Sequence, residues 1–78
     1  MTEEINKIMV DINKFDIGNN KTYMDFYPGV NLNITKYTDG VGLHYYNDLG
    51  RLEDLGLFRK SCKLINRLIE IKKGNIIK

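Results

Sequence analysis

His44 is the only histidine of this chain and Cys62 its only cysteine. They are the first residues to weigh for chemistry. A histidine oriented by Asp39 or Tyr37 could serve as a general base. Its place in an alternating apolar–polar stretch argues instead for an exposed strand residue without a catalytic role. Cys62 falls on the apolar rows of a helical pattern, which makes it a small core hydrophobe and not a nucleophile. No Ser-His-Asp or Cys-His arrangement can be drawn. The seven glycines are each explained by turns or breaks, with none left for a phosphate-cradling loop. One histidine and one cysteine are too few soft ligands for a structural zinc site. The reading is therefore non-enzymatic, with no metal and no cofactor. The acids Asp48, Glu53 and Asp54 are expected to flank and cap the helix that follows them.

Two groups of residues point to binding. Tyr23, Tyr27, Tyr37, His44 and Tyr46 are expected on one open sheet face, where tyrosines offer rigid contact area with a hydrogen-bonding tip. Arg59, Lys60, Lys63 and Arg67, with Asn66, Glu70 and Lys73, fill the polar half of the last helical pattern. Clustered cations of this kind are rewarded by phosphate backbones through counterion release.

Charge is unevenly spread. The net charge is only +2. From Leu57 onward, seven basic residues face the single acid Glu70, a net of +6, while residues 1–56 carry −4. Such asymmetry marks a chain with a charged partner. Ile, Asn and Lys dominate and Ala, Gln and Trp are absent. The favoured residues have AT-rich codons, as in a low-GC bacterium or its phages and plasmids. The start Met1-Thr2-Glu3-Glu4 lacks the basic-then-apolar order of a signal peptide, and no apolar run approaches the roughly 20 residues that span a bilayer. The expected location is the cytoplasm of a bacterial host, and the sequons at Asn20 and Asn33 are read as chance.

These residues need elements to position them. Ile5, Ile8, Met9, Ile12 and Phe15 form one stripe of a helix over Glu3–Phe15, with Thr2 as its N-cap. Thr22–Tyr27 reads as a strand ended by Pro28-Gly29. Val30–Tyr46 reads as a hairpin turning at Asp39-Gly40 in a type I′ turn. Val30, Leu32, Ile34, Val41, Leu43 and Tyr45 share its core face, and Asn31, Asn33, Thr35, Tyr37, His44 and Tyr46 the other. A longer or bulged link at Pro28-Gly29 is expected to turn Met24 and Phe26 inward and leave Tyr23 and Tyr27 outside. Residues 47–56 read as a loop or one short helical turn, punctuated by Gly50 and Gly56. A second helix is predicted over Leu57–Lys73, closed by Gly74. The predicted class is α+β: one domain over residues 1–78, ordered helix, three-stranded antiparallel sheet, helix, with both helices on one sheet face. The apolar tail Ile76-Ile77 would extend the sheet or pair with a second copy, so a homodimer is expected.

The order α-β-β-β-α resembles that of double-stranded-RNA-binding domains, and Arg59-Lys60-Ser61-Cys62-Lys63 resembles their phosphate-binding KKxAK motif. The resemblance covers those five residues and the element order. The family's Gly-Pro-x-His turn and Ala-rich final helix are absent, and residues 47–56 stand where the family has almost no link. It implies a nucleic-acid-binding domain using the basic C-terminal helix. In size and in its mixture of helix and small sheet, the chain is also similar to some anti-CRISPR and other anti-defence proteins. That likeness implies a small protein-binding module from a phage or mobile element that inhibits or modulates a host defence enzyme. Its partner would be a larger host protein or a protein–nucleic acid complex. A subunit of a larger phage assembly is the remaining reading.

Overall fold

A computed structural model describes residues 2–47 and 49–77; the side chain of Thr2, expected as an N-cap, and the whole of Asp48 lie outside that description. Helix α1 spans Thr2–Lys14 and helix α2 spans Ser61–Lys72. Between them run four strands: β1 (Asn20–Tyr27), β2 (Val30–Tyr37), β3 (Gly40–Tyr46) and β4 (Leu52–Phe58). They form one antiparallel meander in the order β1-β2-β3-β4. The class is α+β, and the predicted three strands are corrected to four.

The α1 stripe is buried as the periodicity predicts, with Ile5, Ile8 and Ile12 in the core and Met9 and Phe15 at its margin. Leu64, Leu68 and Ile71 of α2 complete the layer. Both helices cover the sheet face that carries Val30, Leu32, Ile34 and Leu43, all buried. Burying each such side chain is worth about 1.5–3 kcal/mol, so this single layer supplies the main driving force of folding. The tail also joins it: Ile76 and Ile77 pack against the core instead of projecting as a free apolar end.

The hairpin keeps its predicted faces but not its predicted turn. Tyr37 pairs with Gly40 and Ile34 with Leu43, so the loop residues are Thr38-Asp39. Only Gly40 there has positive φ, at 149°, which excludes a type I′ turn, since that type needs two such residues. The pairing slides by an even number of residues relative to the prediction, and an even slide leaves every side chain on its own face.

At Pro28-Gly29 the link is a two-residue turn after all, pairing Tyr27 with Val30, with Gly29 at φ 77°. The bulge lies within β1. Between the pairs Tyr23↔Leu32 and Tyr27↔Val30 the strand carries extra residues, and Asp25 takes φ 51°. Aspartate tolerates this left-handed conformation better than most residues. The Asn31 Oδ1 atom, accepting from the Asp25 N–H at 3.0 Å, secures it. The bulge rotates Phe26 into the core, as predicted. Met24, expected inside, is 70% exposed, while Tyr23 and Tyr27, expected outside, pack against the core margin.

Strand β4 replaces the predicted loop and the first turn of the predicted helix. Asn47 turns the chain into it: its Oδ1 accepts from the N–H groups of Leu49 and Arg51 at 2.9 and 3.0 Å. Its backbone N–H also bonds the Arg51 carbonyl at 2.9 Å.

Candidate functional site

The sheet face opposite the helices is uncovered, and β2, β3 and β4 place Tyr37, His44, Tyr46, Leu52, Asp54 and Leu57 on it. Tyr37 and Tyr46 are 45% and 49% exposed, and Leu52 and Leu57 are exposed to a similar degree. Tyr46 stands opposite Leu52, His44 opposite Asp54, and Gly42 opposite Leu57. A shallow depression of about 460 Å³ opens among Tyr37, Thr38, Asp39, Gly42, His44, Asp54 and Leu57.

Of the five predicted contact residues, the structure brings together Tyr37, His44 and Tyr46. Tyr23 and Tyr27 are corrected to the helix side of the sheet. The β1 bulge and the two-residue turn put them there. The Tyr23 hydroxyl donates to Asp11 Oδ2 of α1 at 2.8 Å, so its polar tip is already engaged. The Tyr27 ring lies against Gly74 after α2. Sequence reasoning missed Leu52, Asp54 and Leu57, because it placed Leu52 and Asp54 in a loop and Leu57 in a helix. Loop length gave no signal, because the ten residues predicted between Tyr46 and Leu57 are within the ordinary range for a connection.

His44 is oriented by neither residue proposed from sequence. Its Nε2 lies 3.8 Å from Asp54 Oδ1, too long for a hydrogen bond, and Asp54 is mostly in solvent. Asp54 instead accepts from the Gly56 N–H at 2.9 Å, within its own strand. Glu53 accepts from Asn47 Nδ2 at 3.0 Å. Neither acid caps α2, whose first turn contains no acid and whose N-cap position, Lys60, makes no side-chain cap. Cys62 is exposed, not buried: α2 begins at Ser61, and its first turn, Ser61–Lys63, projects past the core.

A second concavity lies around the corner, between the end of β4 and α2. This open groove of about 570 Å³ is lined by Leu57, Phe58, Asn66 and Glu70 together with Arg59, Lys60, Lys63 and Arg67. All four cations predicted from sequence thus converge, although not as one helix face. Arg59 and Lys60 come from the connector, and only Lys63 and Arg67 from α2. The Arg67 guanidinium sits 5.6 Å from the centroid of the Phe58 ring. Leu57 lines both concavities and joins them. Among the described residues, no helix is long and apolar enough to cross a membrane. Comparison with protein-family models, with curated proteins and with solved structures gives no match.

Proposed function

We propose that this chain is a small non-enzymatic protein-binding module that docks a larger protein on its uncovered sheet face. The observation that carries this reading is the row of Tyr37, Tyr46, Leu52 and Leu57, side chains roughly half exposed on a face that neither helix covers. Partly exposed aromatic and aliphatic residues, two of them, Tyr37 and Leu57, at the rim of a concavity, match the anchors of protein interfaces. His44 contributes shape and a hydrogen-bonding edge there.

The finer reading is an inhibitor or modulator from a phage or mobile element, acting in the cytoplasm of a bacterial host on a defence enzyme. The AT-rich residue usage and the small size support it. The cations of the adjoining groove would steer such a module toward an acidic partner surface. The test is affinity capture from host cells with the wild-type chain and with Tyr37→Glu/Tyr46→Glu, followed by identification of the bound protein. The same protein should be lost with that double variant and retained with Tyr27→Phe, which alters only the helix side. Retention by both variants overturns the assignment of the face.

A further inference from the structure

We propose that the groove between β4 and α2 binds the phosphodiester backbone of a nucleic acid strand. The first argument is how the lysines of the fold are used. Lys21 is bound to Asp11, Lys36 donates to the carbonyls of Ile12 and Phe15, and Lys72 pairs with Glu4. Lys21 and Lys36 are spent on holding α1 to the sheet, and Lys72 on tying α2 to α1. Among the described residues, none of Arg59, Lys60, Lys63 and Arg67 takes part in an ion pair, yet all four line one concavity. The only acid there, Glu70, accepts from the side-chain amide of Asn75 at 2.5 Å and is drawn toward the far end of α2.

The second argument is their arrangement. Lys63 and Arg67 stand one helical turn apart, about 6 Å along the axis. Arg59 and Lys60 continue the row along the extended connector, where Lys60 has φ −112° and ψ 135°. A linear polyanion can meet such a file of charges in succession. Arg67, held against the Phe58 ring, keeps the donor edge of its guanidinium free for bidentate contact with phosphate. Asn66 adds a neutral amide donor to the same wall. An acidic protein segment is the competing occupant, and the test includes it.

The probes are a short oligothymidylate, a duplex of the same length and a polyglutamate peptide, each followed by fluorescence anisotropy. With four phosphates neutralised, the slope of log K against log salt should be about −3 for the single strand, so affinity falls about 50-fold between about 50 and 200 mM salt. A duplex seated on the same four contacts gives a slope nearer −3.6, and the tighter of the two probes identifies the preferred form. Lys60→Glu/Lys63→Glu, at two exposed positions, should lower affinity tenfold or more while the helical circular dichroism is unchanged. If that variant does not fold, Lys60→Gln/Lys63→Gln decides with a smaller expected loss. No binding at low salt, equal binding of polyglutamate, or undiminished binding by the variants overturns the proposal. The docking face at Tyr37 and Tyr46 is read out separately, so either assignment can fail while the other stands.

Discussion

The ring of Tyr37 lies diagonally across Gly42: a Cβ built on Gly42 would stand 2.7 Å from Tyr37 Cε2 and 3.3 Å from His44 Cε1. Tyr37 pairs with Gly40, so Gly42 is its diagonal neighbour on the same face, a distance that aromatic side chains bridge readily. The missing side chain leaves a trough, the ring fills it, and Gly42 is buried on a face that is otherwise open. Gly42→Ala should therefore lift the ring without straining the backbone. The ring is free to move, so the cost in stability should be about 1 kcal/mol, at the low end of overpacking. Shifted Tyr37 ring resonances and weaker partner capture are expected, with a small drop in the urea midpoint. Unmoved Tyr37 resonances would show that the ring does not rest on Gly42.

Gly74→Ala should cost more. Gly74 has φ 76°. It closes α2 in a Schellman arrangement: its N–H bonds the Ile71 carbonyl at 3.0 Å, and the Asn75 N–H bonds the Glu70 carbonyl at 3.1 Å. Alanine would pay the left-handed backbone penalty of about 1 kcal/mol or more. Its Cβ would also stand 2.5 Å from the Tyr27 hydroxyl oxygen. Gly74→Ala/Tyr27→Phe should recover the steric part and leave the backbone part. The check is a pair of urea denaturation curves. Equal losses in the single and double variants would assign the whole cost to the backbone.

Cys62 should react with a thiol reagent in the native protein, to one thiol per chain and at nearly the rate seen in urea. It lies exposed in the first turn of α2, so no unfolding step has to precede attack. Strong protection in the native state would place α2 deeper against the sheet than it stands.

What could be read in advance divides along physical lines. The α1 stripe and the inner faces of β2 and β3 follow periodicities that local sequence imposes, and Ile8, Leu32 and Leu43 are buried accordingly. Strand β4 does not announce itself. Glu53, Asp54 and Gly56 disfavour strands locally, and β4 forms because β3 supplies a pairing edge, with a register shift beside His44. Charged residues on an outermost strand also discourage further pairing. Starting the last helix at Leu57 instead of Ser61 carried Cys62 into the core and merged four cations into one helix face. The inversion of Tyr23 and Met24 follows from the two-residue turn at Pro28-Gly29, and the left-handed conformation at Asp25 then brings Phe26 inward; composition reports neither. The basic cluster was visible because charge is local; the groove that gathers it is tertiary.

The Asp11–Tyr23 contact should give the protein a stability profile that falls at both ends of the pH range. The Tyr23 hydroxyl donating to Asp11 at 2.8 Å is the main influence holding the Asp11 carboxyl below its ordinary 3.8; Lys21, at 3.2 Å, adds to it, and partial desolvation opposes both. Burial first, and then the bond to Asp11, raises Tyr23 well above its ordinary 10. A lowered carboxyl contributes stability above its unfolded value and loses it as pH falls through the folded one. A raised phenol contributes fully below its unfolded value and loses stability as pH rises toward the folded one. The pair should thus be at full strength between about pH 4 and 10. Tyr23→Phe removes the donor, so it should lower the urea midpoint at pH 7 and flatten the profile at both ends. The Asp11 carboxyl should move back toward its ordinary range in an NMR titration. An alkaline decline as steep in Tyr23→Phe as in the wild type would mean that another group controls that limb.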